Sequence, residues 1–342
     1  MEENDRVTDR ITILGAGSWG IACGNLLAAN GARVTLWEFD HDELALLLRE
    51  REHPRKLPGI KIPADIHLTD DLDEASAEAD VVVCAVPTQH IASVCRRLSA
   101  MPHRPELVVN LSKGIEERTL RRVSQIITEE WSGIGVETVV TLSGPSHAEE
   151  VAIGLPTTVV AAGEEERCRR AQTIFSNPAF RVYRSHDLIG VELGGAVKNV
   201  IAIAAGIARG LGFGDNTQGA LITRGLAEMT RLAVIMGADP TTLSGLSGVG
   251  DLVTTSISRH SRNQYVGYHI GQGQTLKQVL AGMVMVAEGV TTCRSTRQLA
   301  RKYEVEMPIT DAVCAVLFED LPARQAVTAL MTRPLKAERW QS

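Results

Sequence analysis

The first half of the chain alternates short apolar, β-branched runs with longer amphipathic stretches. The strand-like runs are RITILGAG, ARVTLWEFD, VVVCAVP, ELVVNLS and ETVVTLSG, and PTTVVAAG and RVYRS are two further candidates. Helical stretches follow the first two runs, over about residues 19–30 and 42–51. Continuous apolar strands that alternate with helices indicate a mostly parallel sheet covered by helices on both faces.

The second half has a different pattern. Beyond about residue 187, long stretches rich in Ala, Leu, Ile and Met dominate, such as TQGALITRGLAEMTRLAVIMG. They have helical periodicity and end at Gly or Pro, as in MGADP, and no convincing strand follows. A length of 342 residues also suits two domains. We therefore predict an α/β domain over residues 1–190 and an all-α domain over residues 191–342.

One charge interrupts the apolar segment that opens the helical half, ELGGAVKNVIAIAAGIA at residues 192–208. Lys198 has apolar neighbours along the chain, and Gly194 and Gly195 lie one turn before it. An ammonium is costly to bury unless it is paired or its pKa shifts. We expect the glycines to let a ligand approach Lys198 at the junction of the two halves. The alternative is a lysine whose ammonium reaches the surface of an amphipathic helix.

Composition narrows the class of protein. Hydrophobic residues make up 44% of the chain and charged residues 22%, which is typical of a globular protein, and a net charge of −6 provides no basic excess for nucleic acid. No uncharged apolar run reaches the length of a membrane span, and MEENDRVTDR is not a signal peptide, so we expect a cytoplasmic protein. The six cysteines and nine histidines lack metal-ligand spacing, and we expect reduced, buried thiols and no metal site.

A dinucleotide-binding motif follows the first strand directly. Gly15, Gly17 and Gly20 form a Gly-x-Gly-x-x-Gly sequence that opens a helix, which is the context that the motif requires. Gly15 permits the turn, Gly17 lets the backbone approach the pyrophosphate, and Gly20 lets the helix pack closely on the strand. The helix N-terminus then binds the phosphates. Residues 1–190 are therefore predicted to be a Rossmann-type NAD-binding domain, the alternative being a glycine-rich turn without a ligand.

Glu38 ends the second strand of this unit. An acid at this place accepts hydrogen bonds from the ribose hydroxyls and repels a 2′-phosphate, and no arginine follows within the next few residues. We therefore expect NAD to be preferred, with NADP as the second cofactor. Asp40 is the competing acid, and Glu38 could also simply end a strand in solvent.

Two later loops carry polar residues at the same predicted edge of the sheet, where such folds bind ligands. Lys113 lies in NLSKGIE and Ser146 lies in LSGPSHAEE. The place of Lys113 at a strand end, before Gly114, favours a contact with an anion or a substrate over an ordinary surface position. Ser146 is also expected to be a helix N-cap, with Glu149 at the capping-box position.

The chain resembles the bacterial NAD(P)-dependent glycerol-3-phosphate dehydrogenases from about residue 11 to about residue 330. The most specific match is ELGGAVKNVIAIAAGIARGLGFGDN followed by ALITRGLAEMTRL, and GAGSWG, VPTQH, SKGIE, SGPSHAEE, GLSGVGDLVTT and SRN occur in the family's order. The resemblance implies reversible hydride transfer between NAD(P)H and dihydroxyacetone phosphate, which gives sn-glycerol 3-phosphate for glycerophospholipid synthesis. It also implies a homodimer.

The resemblance assigns roles to individual residues. Lys198 is implied to accept the alcohol proton, which suits a lysine whose pKa is lowered by burial or a neighbouring cation. Asp251 is implied to be catalytic beside Lys198, where its carboxylate would raise the lysine pKa and oppose burial. The implied substrate-binding residues are Lys113, Gly144, Ser146, Lys198, Asp251, Ser261, Arg262 and Asn263. The implied cofactor-binding residues are Gly15, Gly17, Ser18, Trp19, Gly20, Glu38, Lys113, Ala148, Arg262, Val286 and Glu288.

Some of these positions keep alternatives. Ser261, Arg262 and Asn263 are expected to grip the substrate phosphate, because a guanidinium binds phosphate bidentately and hydroxyl and amide groups add donors. Glu288 could instead be a helix-terminal acid. The chain departs from the family in EHPRKLPG, where His53 and Lys56 replace the usual Asn and Tyr or Phe, which puts a cofactor contact from Lys56 in doubt.

Two other functions compete with this one. A β-hydroxyacid or 6-phosphogluconate type dehydrogenase also joins a Rossmann half to a helical half and uses a lysine, but SRN and GVGDLVTT argue against it. A dinucleotide-binding regulatory protein without catalysis is disfavoured by the intact set of Lys198, Asp251 and Arg262. Turnover of dihydroxyacetone phosphate with NADH would separate the three.

Overall fold

The computed structural model of the protein describes residues 9–335 and 337–338. The N-terminal half contains a large sheet and a small hairpin. The strands are β1 (Arg10–Leu14), β2 (Arg33–Trp37), β3 (Glu52–His53), β4 (Leu57–Lys61), β5 (His67–Thr69), β6 (Val81–Cys84), β7 (Leu107–Asn110), β8 (Val139–Ser143), β9 (Thr157–Ala162) and β10 (Phe180–Ser185). The hydrophobic pattern had predicted all of these except β3, β4 and β5, which are short or lie at an edge.

Helices separate most of the strands, and helices follow the last one. Those of the first half are α1 (Ser18–Ala29), α2 (His41–Glu50), α3 (Leu72–Ser76), α4 (Thr88–Ser99), α5 (Val123–Glu130), α6 (Ala148–Ala152) and α7 (Glu165–Phe175). Those of the second half are α8 (Leu188–Gly210), α9 (Asp215–Ile235), α10 (Asp251–Ile257), α11 (Arg262–Gly271), α12 (Leu276–Ala281), α13 (Glu288–Lys302), α14 (Pro308–Phe318) and α15 (Ala323–Met331). No strand follows Ser185 in the described part of the chain, as predicted.

The eight strands of the large sheet lie in the order β10-β9-β8-β7-β6-β1-β2-β5. Every neighbouring pair is parallel except β8 and β9, which are antiparallel, so β9 and β10 run against the other six strands. The predicted mostly parallel sheet is confirmed.

Helices cover both faces of the sheet, as the apolar strands had predicted. On one face, Ile11 and Ile13 of β1 belong to a core that includes side chains of α1, α2 and α7. On the other face, Val82 and Val108 belong to a core with side chains of α3, α4 and α5. Because both faces of the sheet are buried, a ligand can reach the sheet only at the ends of its strands.

The helix α8 forms the centre of the second half. Helices α9, α10, α11 and α13 all pack against it. Its length and composition would allow it to cross a membrane, but 89% of its most apolar 18-residue window is buried inside the protein. The apolar sequence of α8 is therefore that of a core helix, and Lys198 lies at its middle.

Glycines bring α8 and α11 into backbone contact. A Cβ atom on Gly206 of α8 would lie 2.2 Å from the carbonyl oxygen of Gln264, and one on Gly267 of α11 would lie 2.0 Å from that of Ile203. No real side chain tolerates such distances. The close approach holds the start of α11 beside α8, and so places residues 261–263 near Lys198.

Candidate active site

A cleft of about 560 Å³ lies between the carboxyl edge of the six parallel strands and the helical half. The loops after β1, β2, β6, β7 and β8 line one side. The middle of α8, the helix α10, the start of α11 and the segment before α13 line the other. This is the edge at which open α/β sheets bind ligands.

The glycine motif forms the floor of the cleft. Gly15 has a φ of +104°, a conformation that L side chains rarely adopt, and Gly20 packs so closely that a Cβ atom would lie 1.9 Å from the carbonyl oxygen of Gly15. A Cβ atom on Gly17 would meet nothing within 4 Å. No side chain caps the N-terminus of α1, so its first amides are available to an anion. These residues fit a dinucleotide pyrophosphate.

Acidic and basic residues meet at the outer end of the cleft. Glu38 follows β2, and its Oε1 atom accepts a hydrogen bond from the backbone N–H of Asp40 at 3.2 Å. Lys56 lines the same cleft, with its ammonium 3.5 Å from Glu43. Phe39, which follows Glu38 directly, has an exposed ring and also lines the cleft. Glu38 is thus available to a ribose, and Lys56 provides a cation in the same cleft.

At the inner end, one carboxylate holds two lysines. Asp251 Oδ2 accepts a hydrogen bond from Lys113 Nζ at 2.7 Å, and Asp251 Oδ1 lies 3.0 Å from Lys198 Nζ. Lys198 Nζ also donates to Thr255 Oγ1 at 2.6 Å, and that hydroxyl donates to Asp251 Oδ1 at 3.0 Å. Lys113 is anchored further by the carbonyl oxygen of Gly144 at 2.9 Å. The charge of Lys198 is therefore paired inside the protein and does not reach the surface.

The surroundings of Lys198 bring its pKa near neutrality. Burial is the largest influence and lowers the pKa, Asp251 opposes it, Lys113 adds to it, and the resulting pKa is about 8. Burial alone would raise the pKa of Asp251, but the two ammonium groups outweigh it and hold that pKa below its usual range. Burial thus wins over Asp251 at Lys198, and both protonation states of the lysine are accessible near neutral pH.

The glycines before Lys198 serve a different purpose from the expected one. A Cβ atom on Gly194 would lie 2.7 Å from the carbonyl oxygen of Ser247, and one on Gly195 would lie 2.7 Å from Ser143 Oγ. Both glycines therefore make room for neighbouring protein segments, and the expectation that they admit a ligand is wrong. They let α8 pack tightly where Lys198 enters the cleft.

The loop after β8 also differs from expectation in one respect. The N-cap of α6 is His147, without a side-chain cap, so the expected cap by Ser146 is wrong. Ser146 Oγ instead donates to the carbonyl oxygen of Gly144 at 2.9 Å, because the loop turns there through a φ of +138° at Gly144. Ser146, His147 and Ala148 all line the cleft.

Sequence profiles of one protein family match most of the chain. The profile of the NAD-dependent glycerol-3-phosphate dehydrogenase N-terminus matches residues 10–169, and that of the C-terminus of the same family matches residues 187–328. The chain belongs to the NAD-dependent glycerol-3-phosphate dehydrogenase family. The resemblance drawn from the motifs is therefore confirmed.

Individual relatives match over almost the whole chain. A glycerol-3-phosphate dehydrogenase [NAD(P)+] of Chlorobium limicola is 49% identical, over 96% of this chain and 99% of the relative. One of Geobacter sp. (strain M21) is 50% identical, over 97% and 99%. The crystal structure of glycerol-3-phosphate dehydrogenase from Coxiella burnetii superposes with a TM-score of 0.91 at 35% identity, covering 95% of this chain and 99% of that chain.

The residues that the glycerol-3-phosphate dehydrogenase family implies as the phosphate site lie at the start of α11. Ser261 caps the helix by accepting the N–H of Gln264 at 3.1 Å. Asn263 donates to Asn199 Oδ1 at 2.8 Å and accepts the N–H of Gly289 at 2.9 Å, so its amide joins α8, α11 and α13. Arg262 is exposed to the cleft, and its Nη1 donates to the carbonyl oxygen of Val286 at 3.1 Å.

The segment before α13 closes the same side of the cleft. Glu288 is the first residue of α13, and its carboxylate accepts the N–H of Thr88 at 2.9 Å, across from the sheet. Ser18 Oγ contacts Met285 Sδ at 3.6 Å, and the exposed Val286 lines the cleft. Glu288 is thus both a helix-terminal acid and a cleft residue, and its contact with the cofactor stays a prediction.

Sequence reasoning missed three residues that surround Lys198. Thr255 follows Asp251 by one helical turn, so the spacing in DLVTT could have identified it. Asn199 donates to the carbonyl oxygen of Lys113 at 3.1 Å and so ties α8 to the loop after β7. His147 had no sequence signal, because nothing in GPSHAEE indicates where its ring lies.

Proposed function

We propose that the protein is a glycerol-3-phosphate dehydrogenase that interconverts dihydroxyacetone phosphate and sn-glycerol 3-phosphate, for use in glycerophospholipid synthesis. The observation that carries the proposal is Lys198, a buried lysine with a pKa of about 8, paired with Asp251 in the cleft beside the glycine motif. The substrate follows from the family and from the names of the relatives from Chlorobium limicola and Geobacter.

In the direction of oxidation, neutral Lys198 takes the proton of the secondary hydroxyl as the hydride leaves the same carbon. A dinucleotide held beside the glycine motif would supply the hydride chemistry, as acceptor in oxidation and donor in reduction. Asp251 and Thr255 orient the lysine Nζ and stabilise the ammonium that forms. In reduction, protonated Lys198 gives its proton to the ketone oxygen. A pKa of about 8 supports both directions at neutral pH.

The remaining sites are proposed from their places in the cleft, except Gly20 and Gly144, which do not line it and are proposed from the family resemblance. Gly15, Gly17, Ser18, Trp19 and Glu38 would hold the dinucleotide, together with Gly20, Lys113, Ala148, Arg262, Val286 and Glu288. Gly144, Ser146, Ser261, Arg262 and Asn263 would hold the substrate, together with Lys113, Lys198 and Asp251. The place of Arg262 in the cleft lining supports the phosphate contact, because a guanidinium can bind a phosphate bidentately. For Asn263, the bonds to Asn199 and Gly289 support a role in placing that arginine.

We test this function with purified protein, NADH and dihydroxyacetone phosphate. We expect NADH oxidation, and a loss of turnover of about 100- to 10,000-fold in Lys198→Ala, since that is the range that general acid–base groups contribute. Lys61→Ala is the matched control, because that side chain is 69% exposed in a surface ion pair. Absence of turnover with both NADH and NADPH would overturn the proposal, and oxidation of 3-hydroxy acids or 6-phosphogluconate instead would favour the rival enzymes.

We propose NAD as the preferred cofactor and NADP as the second. The place of Glu38 after β2 supports this preference, because its carboxylate would repel a 2′-phosphate. Glu38→Ser is expected to raise kcat/KM for NADPH relative to NADH. Wild-type protein that already prefers NADPH would contradict this role for Glu38.

Three further features are proposed. The end of β10 at Ser185 and the gap between the two matching profiles support a cofactor domain over residues 1–190 and a substrate domain over residues 191–342. Six buried, unpaired thiols support a cytoplasmic location, where thiols stay reduced. The resemblance to the family supports a homodimer, which light scattering during gel filtration measures directly.

A further inference from the structure

Most polar groups around Lys198 already have partners within the protein. Both carboxylate oxygens of Asp251 already have partners, which are Lys113, Lys198 and Thr255. The hydroxyl of Thr255 accepts from Lys198 and donates to Asp251. The amides of Asn199 and Asn263 bond to each other and to backbone groups. These groups hold the lysine in place, and a substrate would have to displace one of their bonds to use them.

One polar atom of the cleft wall is different. The Nε2 atom of His147 is buried and has no hydrogen-bond partner among the described residues. Among the described residues that line the cleft, no other side chain has a buried polar atom left unpaired in this way. A buried polar atom without a partner costs free energy, and native structures rarely leave one unless a ligand or water completes the bond.

The surroundings of His147 keep its ring neutral. Burial and the charge of Lys198 lower the pKa of His147, Asp251 opposes them, and the resulting pKa is about 4. The ring of His260 packs against it, with centroids 5.9 Å apart. A neutral imidazole can donate or accept one hydrogen bond at Nε2, depending on its tautomer, and it adds no charge beside the lysine. Such a group suits a hydroxyl better than a phosphate dianion.

We propose that His147 binds the hydroxyl of the substrate that does not react, the free hydroxyl on the carbon next to the reacting one, and so makes the enzyme select substrates that carry it. The inference rests on the proposed function. The oxygen on the reacting carbon exchanges its proton with Lys198, and the phosphate requires cationic groups such as Arg262. The third polar group of the substrate is then left for His147, which alone among the described side chains that line the cleft has a buried polar atom without a partner.

This contact is tested by comparing two substrates. Dihydroxyacetone phosphate carries the free hydroxyl, and hydroxyacetone phosphate is the same ketone without it. The ratio of their kcat/KM values is measured for wild type, His147→Phe and His147→Gln. His186→Gln serves as the matched histidine control, because its side chain is 78% exposed and lies outside the cleft. Since the side chain of His147 caps no helix amide, neither variant removes a helix cap.

We expect wild type and His186→Gln to favour dihydroxyacetone phosphate by about 10-fold or more, because sites built to bind a hydroxyl discriminate against analogues that lack it. His147→Phe should bring the two substrates within about 3-fold of each other, chiefly by lowering kcat/KM for the hydroxylated one, and His147→Gln should retain part of the preference.

Two results would overturn the inference. One is a wild-type enzyme that uses both ketones equally well, and the other is a preference that His147→Phe leaves unchanged. Absence of wild-type activity on dihydroxyacetone phosphate is a separate outcome, which refutes the proposed function itself.

Discussion

Replacing Lys113 by Met is expected to raise the pKa of Lys198. The two ammonium groups bind different oxygens of Asp251, at 2.7 and 3.0 Å, so they lie within about 8 Å of each other. At an effective dielectric constant of about 20, like charges about 8 Å apart repel by about 2 kcal/mol, which corresponds to about 1.5 pKa units. Loss of Lys113 also leaves Asp251 to pair with Lys198 alone, which acts in the same direction.

The assay is the pH dependence of kcat/KM for oxidation of sn-glycerol 3-phosphate, which reports the pKa values of the free enzyme. Oxidation requires neutral Lys198, so the rate rises with pH through a pKa near 8 in wild type. In Lys113→Met this rise is expected about 1 to 1.5 pH units higher, whatever the loss in maximal rate. Lys61→Met removes the same charge from an exposed site and should not move the profile. A profile of Lys113→Met that stays in place or moves to lower pH would refute the electrostatic account of Lys198.

Gly267→Ala is expected to lower the free energy of unfolding by about 2–4 kcal/mol in urea, because its Cβ atom would lie 2.0 Å from the carbonyl oxygen of Ile203. Gly219→Ala, in open space on α9, should instead be neutral or stabilising by up to about 1 kcal/mol, and equal losses would contradict the packing argument. Burial raises the pKa of Glu228 to about 7, so stability should fall by about 3 kcal/mol as the pH rises from 4.5 through 7. Glu228→Gln should flatten that fall, and an unchanged slope would count against it. The six buried thiols should react with a thiol reagent only after unfolding, unlike an exposed, activated cysteine.

Much of the fold could be predicted from local patterns. Strand and helix periodicity located β1, β2 and β6 to β10, and it placed the change to an all-helical chain after β10. The direction of β9 could not be read in this way. An apolar strand has the same pattern whichever way it runs, so the antiparallel pairing of β9 with β8 leaves no mark in the hydrophobic pattern. The hairpin of β3 and β4 was missed because two residues of strand carry too little periodicity.

The candidate site was likewise predictable from the sequence only in part. The residues that the family motifs imply line one cleft, except Gly20 and Gly144. Their hydrogen-bond partners were not predictable. The amide of Asn263 bonds to residues 26 and 64 positions away in the chain, and no spacing rule connects such residues. The orphan Nε2 atom of His147 is likewise visible only once its surroundings are assembled.

The sequence by itself determined the glycine motif after the first strand, seven strands of the first half, and a charged residue at the middle of an otherwise apolar helix. Each of these follows from residues within one or two turns of each other. Only the tertiary structure decided that Lys198 is paired with Asp251, that burial outweighs this pairing in setting its pKa, and that Gly194 and Gly195 make room for protein rather than ligand. The desolvation of Lys198 and the packing of the two glycines depend on residues that are far apart in the chain. Neither can therefore be derived from local sequence patterns.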